Sequence, residues 1–249
     1  MKKFLKLFIF WLKIFSLIVE AAIVSRLFFF LLSANWKKIY IQKWSDKVLE
    51  SFGVTIDLVN PANLSIQGGF SLVSNHISWI DIQVLESIIH CRFISTSEVF
   101  SWPLIGKMAE AAGSLFIDLH NPRTGTKKIV DQMVPLLRGG EAICFFPEAT
   151  STDGAEILPF KANLFQSSIL ANTPVVPVAI RYLDKYNQVS SAPAFFGDMT
   201  LIECMQNIFE HAPLIAEVTV LPAAFGFSNK KEISEYCYIQ ISGALSNKN

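Results

Sequence analysis

From residue 54 onward, short apolar runs alternate with helical patterns, and this alternation constrains the fold more than any other feature. Strand-length runs that alternate with amphipathic stretches are typical of α/β domains, in which helices cover the faces of a sheet. The predicted strands are the seven runs rich in β-branched and aromatic residues: 54–58, 69–74, 93–96, 114–118, 142–146, 175–182 and 215–221. The sequence therefore predicts an α/β fold.

Helical patterns fill most of the intervals between these strands, at 81–90, 104–112, 124–137 and 164–171. Pro135 lies inside the third pattern, where we expect it to kink the helix. A capping box of Asn229 and Glu232 predicts one last helix. Since no linker or repeat interrupts this part of the chain, we predict two units, an N-terminal helical segment at 1–52 and one α/β domain at 53–249.

The N-terminal segment is apolar over residues 7–32, but Lys13, Glu20 and Arg26 interrupt it. Each charge at the centre of a membrane-spanning helix costs about 2.5–3.5 kcal/mol on insertion scales. Lys13 and Glu20 lie seven residues apart and so share one helical face, which suits a helix that lies in one leaflet. The charges also disfavour a cleaved signal peptide.

A second helical pattern follows, in which Trp36, Tyr40, Trp44 and Val48 recur every four residues between lysines. This spacing gives an aromatic face with a basic flank, as expected for a helix at a membrane surface. We therefore predict a membrane-docking helical pair at 1–52, with a single spanning helix as the second interpretation.

Composition agrees with a globular domain attached to a membrane. Hydrophobic residues make up 51% of the chain, charged residues 17%, and the mean hydropathy is +0.40. The formal net charge is zero, so composition gives no support for nucleic-acid binding. The four cysteines are scattered without a CxxC pair, which favours buried thiols in a reducing compartment.

Asn75, His76 and Asp81 form the first chemical motif, directly after a predicted strand. An imidazole can take a proton from a hydroxyl group, and a nearby carboxylate fixes its tautomer and stabilises the imidazolium. Residues five apart on one helix face different directions. We therefore expect His76 on the loop that leaves the strand and Asp81 in the first turn of the next helix.

A second motif occupies residues 145–154, where a buried strand leads into Pro147 and Glu148. This arrangement places a carboxylate at the carboxyl end of a strand, where open α/β sheets bind their ligands. Thr150 and Ser151 add hydroxyl groups, and Lys161 follows ten residues later as a cation.

Together these segments resemble the glycerolipid acyltransferase family, the PlsC-like lysophosphatidic acid acyltransferases. Four ordered blocks within residues 54–182 carry the resemblance: Asn75-His76 with Asp81, Gly113 to Asp118, Phe146-Pro147-Glu148 with Thr150, and Val176 to Ala179. The resemblance implies an α/β domain, a mixed sheet flanked by helices, with an N-terminal membrane-docking helical pair.

It also implies an O-acyltransferase in membrane lipid biosynthesis, with His76 as the catalytic base and Asp81 as its catalytic partner. The donor would be acyl-CoA or acyl carrier protein, the acceptor a lysolipid, and no metal or further cofactor is expected. The residues expected to bind substrate are Asn75, Glu148, Thr150, Ser151, Lys161 and Arg123. We expect the protein at the cytoplasmic face of the inner membrane, in contact with the lipid bilayer.

Two departures from the family pattern leave the acceptor open. Leu119 and Ser151 stand where the family usually has arginine, and a phosphate monoester is usually held by Arg or Lys. Lys161 and Arg123 remain as cations, whereas His120 is interpreted as a loop residue. The acceptor is therefore predicted to be 1-acyl-glycerol-3-phosphate or a related lysophospholipid, with a lyso-ornithine lipid as the alternative.

Two other functions remain as hypotheses. The first is a thioesterase or hydrolase that uses His76 and Asp81, and the second is an inactive membrane scaffold.

Overall fold

The computed structural model describes residues 2–118 and 122–246, with side chains for 4–118 and 124–246. The helices are α1 Lys2–Leu27, α2 Ala34–Phe52, α3 Ile80–Ile88, α4 Ser97–Phe100, α5 Ile105–Ala111, α6 Pro122–Arg138, α7 Gln166–Ala171, α8 Leu201–His211 and α9 Lys230–Ser246. The strands are β1 Val54–Val59, β2 Phe70–Ser74, β3 Arg92–Thr96, β4 Leu115–Ile117, β5 Ala142–Phe145, β6 Val175–Leu183 and β7 Leu214–Val220. A short 3-10 helix, Pro61–Leu64, joins β1 to the loop before β2.

One sheet holds the seven strands of the described residues, in the order β1-β7-β6-β2-β5-β3-β4. Among these strands β6 and β7 pair antiparallel, while the other neighbours are parallel. This mixed sheet flanked by helices confirms the predicted fold class. Because β2 and β5 are adjacent and parallel, the residues that follow these two strands emerge at the same edge of the sheet.

The central strands read as continuous apolar runs because both of their faces are covered. All five residues of β2 are buried, and eight of the nine residues of β6 are buried. Strands of parallel sheets that are covered on both faces have this composition. The predicted strands therefore lie where the observed ones do, with ends that differ by one residue at most sites.

The prediction missed α8, which follows Thr200. Its start carries a capping box in which the Thr200 hydroxyl accepts the Glu203 N–H, while the Glu203 carboxylate accepts the Thr200 N–H. This Thr-x-x-Glu signal can be read directly from the sequence. The helix α6 continues through Pro135 to Arg138.

The helices α1 and α2 pack on each other and on the sheet domain. Phe10 contacts the rings of Phe52 and Phe209, at centroid distances of 5.1 and 4.2 Å. The Trp44 indole donates to the Leu17 carbonyl at 3.0 Å. Gly53 ends α2 with a φ of +66°, where a Cβ atom would lie 2.9 Å from Ala212. The predicted domain division at residues 52 and 53 falls at this turn and stays a prediction.

The outer face of α1 is apolar and exposed, in contrast to its inner face. Exposed side chains on it include Phe4, Leu5, Phe8, Ile9, Leu12 and Phe15. By length and composition, residues 4–27 could cross a membrane. Glu20, in the second half of this helix, forms an ion pair with Lys47 of α2 at 2.8 Å.

Candidate active site

The sheet register brings the two predicted motifs together. Val73 of β2 pairs with Phe145 of β5, so both chains leave the sheet side by side. The rings of His76 and Phe146 then stack at a centroid distance of 4.0 Å, with 13° between their planes. The first and third of the four family-like blocks thus meet at the carboxyl ends of adjacent parallel strands, as expected for a ligand site.

His76 and Asp81 contact each other directly. The His76 Nδ1 atom lies 2.9 Å from Asp81 Oδ2. His76 is on the loop after β2 and Asp81 is in the first turn of α3, where the helix N-terminus favours a negative charge. An ionised carboxylate only accepts hydrogen bonds, so Nδ1 carries the proton and Nε2 keeps its lone pair. The imidazole is 20% exposed, whereas the carboxylate is fully buried.

Asp81 accepts hydrogen bonds at both of its oxygens. Oδ2 also accepts the backbone N–H groups of Ile77 at 2.7 Å and Ser78 at 2.9 Å. Oδ1 accepts the phenolic hydroxyl of Tyr182, from β6, at 2.6 Å. A buried carboxylate is stable when donors satisfy its oxygens, and here it also fixes the loop that carries His76.

The side chain of Asn75 continues the pairing of β2 with β6. Its Nδ2 donates to the Ile180 carbonyl and its Oδ1 accepts the Ile180 N–H, both at 2.9 Å. The side-chain amide thus replaces a backbone peptide at the end of the ladder. Asn75 is buried, and this geometry favours a positioning role over contact with substrate.

Glu148 binds two backbone segments near the base. Its Oε1 accepts the His76 N–H and its Oε2 accepts the Leu158 N–H, both at 2.8 Å. Burial raises the pKa of Glu148, and the two backbone donors and His76 oppose that rise. With 3% of the residue exposed, Glu148 joins the His76 loop to the segment before Lys161.

Three further predicted site residues, Thr150, Ser151 and Lys161, lie on the segment that follows β5. Ser151 donates to the Phe195 carbonyl, and Thr150 is exposed with one long contact to the Ser151 carbonyl at 3.5 Å. The Lys161 backbone N–H donates to the Pro147 carbonyl at 2.9 Å, which places this exposed lysine beside the Glu148 turn. Leu119, His120 and the Arg123 side chain lie outside the described residues, so the prediction for Arg123 stays a prediction.

Sequence reasoning did not find Tyr182. Burial, and then the Asp81 charge, hold the pKa of Tyr182 well above its ordinary value, so the phenol keeps its proton. The hydroxyl contacts a carboxylate 101 positions away in the chain. The position of Tyr182, three residues after the fourth block, was the signal available in the sequence.

An apolar cavity of about 250 Å³ lies between the N-terminal helices and the sheet domain. Helices α1, α2, α3 and α5 contribute aliphatic and aromatic walls to it. Trp79, three residues after His76, and Phe93 of β3 line the cavity. The Phe93 ring is 6.4 Å from the Phe146 ring, which stacks on His76, so the cavity approaches the base.

The family model named Acyltransferase matches residues 55–181, just over half of the chain. This protein belongs to the Acyltransferase family. The match contains His76, Asp81 and Glu148, which are the residues brought together at the edge of the sheet. The recognition made from the sequence motifs is thereby confirmed.

Two named relatives of this acyltransferase-family chain carry different acceptors in their names. It is 34% identical over 171 residues to the 1-acyl-sn-glycerol-3-phosphate acyltransferase of Neisseria meningitidis, covering 69% of this chain and 66% of that one. It is 37% identical over 131 residues to the lyso-ornithine lipid O-acyltransferase of Pseudomonas aeruginosa, covering 52% of this chain and 49% of that one. The chain thus matches less than two thirds of the length of these relatives.

A solved structure supports the fold across the whole chain. The 1-acyl-sn-glycerophosphate acyltransferase PlsC of Thermotoga maritima superposes with a TM-score of 0.71 and 18% identity, and the match covers 99% of this chain and 97% of that one. At this identity the similarity establishes the fold.

The two backbone contacts of Glu148 generate the first testable prediction. In Glu148→Gln one side-chain oxygen becomes an amide NH₂, which cannot accept the second N–H, so a buried donor loses its partner. We expect the free energy of unfolding to fall by about 1–3 kcal/mol, with a loss of acyl transfer as His76 shifts. Thermal unfolding and activity at neutral pH measure the two effects.

Glu156→Gln is the matched control, because Glu156 is an exposed carboxylate on the same segment. We expect it to change neither quantity. Equal behaviour of the two variants would contradict the role assigned to the Glu148 contacts.

Proposed function

We propose that this protein transfers a fatty acyl group from an acyl thioester to the hydroxyl group of a lysolipid. The single observation that carries the proposal is the contact of His76 Nδ1 with the buried Asp81 carboxylate at 2.9 Å, which leaves the lone pair of Nε2 available to accept a proton. Membership of the Acyltransferase family agrees with this chemistry.

The proposed reaction needs no covalent enzyme intermediate. Nε2 of His76 accepts the proton of the acceptor hydroxyl while its oxygen attacks the thioester carbonyl carbon. The carbon–sulfur bond then breaks, and the imidazolium returns the proton to the leaving thiolate. Asp81 keeps the imidazole in the required tautomer and stabilises its charged form during the transfer.

The cavity supports a lipid substrate, because its size and lining suit a hydrocarbon chain. Its walls include Leu17, Val48 and Phe52 from the N-terminal helices and Met108 from α5. Burial of each methylene group in such a cavity is favourable by about 0.8 kcal/mol. We place the acyl chain of the thioester here, and the donor is acyl-CoA or acyl carrier protein.

The exposed apolar face of α1 supports attachment to a bilayer. Phe8, Phe15 and Leu12 project from this face, while Phe10 and Leu17 pack into the protein. A helix that divides in this way can lie in the interface with its outer face among the lipid chains. Acyl thioesters are cytoplasmic substrates, so we place the protein at the cytoplasmic face of the inner membrane.

For the acceptor we propose 1-acyl-glycerol-3-phosphate or a related lysophospholipid. The name of the Neisseria meningitidis relative supports this choice, while that of the Pseudomonas aeruginosa relative supports a lyso-ornithine lipid as the alternative. Lys161, exposed beside the Glu148 turn, is available to contact a phosphate group. Arg123 remains a proposed second cation for the same group.

The direct test follows a labelled acyl group. The full chain in lipid vesicles is mixed with labelled acyl-CoA, alone or with a lysophosphatidic acid, a lyso-ornithine lipid or a neutral lysolipid. We expect the label to enter the diacyl product only when an acceptor is present. His76→Gln should lower this transfer by about 10²–10⁴-fold, because the general base is lost.

Release of the label as free fatty acid, with no labelled lipid product for any acceptor, would instead establish a thioesterase. Label in neither the lipid product nor free fatty acid would support the hypothesis of an inactive membrane scaffold. His211→Gln is the control for the histidine variant, since His211 is an exposed residue at the end of α8 and should transfer label at the wild-type rate.

Lys161→Gln tests the head-group assignment. Without the ammonium group we expect KM for lysophosphatidic acid to rise about tenfold, since a hydrogen bond to a charged group is lost. KM for a neutral lysolipid should not change. Lys231→Gln, at another exposed lysine, is the control, and an equal rise in KM for both acceptors would contradict a phosphate contact of Lys161.

Ala109→Leu tests the location of the acyl chain. Ala109 of α5 lines the cavity, so a larger side chain there should exclude the longest acyl groups. We expect kcat/KM to fall about tenfold for the longest thioester and to change little for the shortest, as measured with a series of chain lengths. Ala111→Leu is the control, because Ala111 is on the same helix and is not among the lining residues described. An unchanged chain-length preference in Ala109→Leu would place the acyl chain elsewhere.

A further inference from the structure

The hydroxyl group of Tyr182 is the least expected contact of the proposed base and its partner. It donates to Asp81 Oδ1 at 2.6 Å, and neither residue has exposed area above 1%. The three other donors to this carboxylate, from His76, Ile77 and Ser78, all reach Oδ2. Among the described residues, Tyr182 is thus the partner of the second oxygen.

We propose that Tyr182 is a positioning residue that acts through Asp81 to set both the orientation and the basicity of His76. This inference rests on the proposed function of His76 as the base. Tyr182 contacts neither acceptor nor donor in this account, and its effect passes through the carboxylate alone.

The orientation of His76 depends on how the hydrogen-bond donors divide between the two oxygens of Asp81. With Oδ1 held by the phenol, the carboxylate cannot rotate about its Cβ–Cγ bond without breaking a short hydrogen bond. Oδ2 is therefore kept in contact with His76 Nδ1 and with the two backbone N–H groups. In Tyr182→Phe, Oδ1 loses its partner at a fully buried position, so other rotations of the carboxylate become favourable.

The strand β6 makes this contact rigid. Ile180 is fixed to Asn75 through two hydrogen bonds, and Tyr182 follows two residues later on the same face of the strand. The antiparallel partner β7 also pairs with residue 182, through Ala216. The phenol therefore approaches Asp81 from a strand that is bound both to the His76 segment and to its other neighbour.

The basicity of His76 depends on how the Asp81 charge is shared between the imidazole and the Tyr182 phenol. The phenol donates to the Asp81 anion and so reduces the charge that stabilises the His76 imidazolium. Its loss raises the proton affinity of the coupled pair, and the His76 pKa should therefore increase. At a pH near the wild-type pKa, a larger fraction of His76 would then be protonated and unable to act as a base.

Other titratable groups face the pair from neighbouring elements. Glu148, after β5, contacts the His76 backbone, and Cys204 of α8 lies 3.8 Å from the Ser78 hydroxyl. Burial raises the pKa of both Glu148 and Cys204. Neither group contacts the Asp81 oxygen that Tyr182 occupies, so loss of the phenol is the specific change made by Tyr182→Phe.

The experiment compares wild type and Tyr182→Phe as full chains in detergent micelles or nanodiscs. The His76 resonance, assigned by its loss in His76→Gln, is titrated by NMR. We expect its pKa to rise by about one pH unit in Tyr182→Phe, which corresponds to the loss of a weak hydrogen bond to a charged group. The acid limb of the rate profile for transfer should move by the same amount, with kcat about tenfold lower well below the pKa and KM for the lysolipid unchanged.

Tyr186→Phe is the matched control, because Tyr186 is an exposed tyrosine on the loop after β6 and should change neither titration nor rate. A lower thermal stability of Tyr182→Phe with an unchanged His76 pKa and rate profile would overturn the proposal, because the phenol would then be only structural. Should Tyr182→Phe not fold with a buried Asp81 anion, comparison of Asp81→Asn with Asp81→Asn/Tyr182→Phe gives a second measurement. An altered His76 pKa between those two variants would also overturn the proposal, because the phenol would then act without the carboxylate. Absence of lipid product in wild type would refute the proposed function alone, because the NMR titration needs no substrate.

Discussion

The buried carboxylate of Asp81 is the interaction on which the site depends. An ionised group with no exposed area is stable only if its oxygens are satisfied, and here four donors satisfy them. Those donors come from the His76 ring, from the loop between β2 and α3, and from β6. A single charge therefore fixes the loop conformation, the tautomer of the proposed base and the place where α3 begins.

Two further contacts hold the surrounding backbone in the same arrangement. The Asn75 amide binds the Ile180 backbone, and the Glu148 carboxylate binds the backbone N–H groups of His76 and Leu158. Because β2 lies between β5 and β6, these contacts connect the ends of three neighbouring strands. The proposed catalytic group is partly exposed, while nearly all the groups that position it are buried. A cavity beneath the N-terminal helices then supplies the apolar surface that a lipid chain requires.

Much of this arrangement could be predicted from sequence, because local patterns determine it. Apolar runs mark the strands, and the spacing of His76 and Asp81 is short enough to predict their contact across the start of a helix. The contact of Tyr182 with Asp81 joins residues 101 positions apart, and no local pattern contains that information. Asn75 and Glu148 were expected to face substrate, since a polar residue after a strand suggests a ligand site. Their side chains bind backbone groups, and these partners depend on which strands become neighbours. Contact of either residue with substrate stays a prediction. The capping box formed by Thr200 and Glu203 is visible in the sequence, so the start of α8 could also have been predicted.

The most direct test of the central claim is the protonation of the two nitrogens of His76, measured by ¹⁵N NMR on the full chain in a lipid environment. Asp81 is expected to hold the neutral imidazole with its proton on Nδ1, so Nε2 should show the shift of an unprotonated nitrogen above the His76 pKa. A neutral ring protonated on Nε2 would contradict the account, because that nitrogen could not then accept a proton from an acceptor hydroxyl.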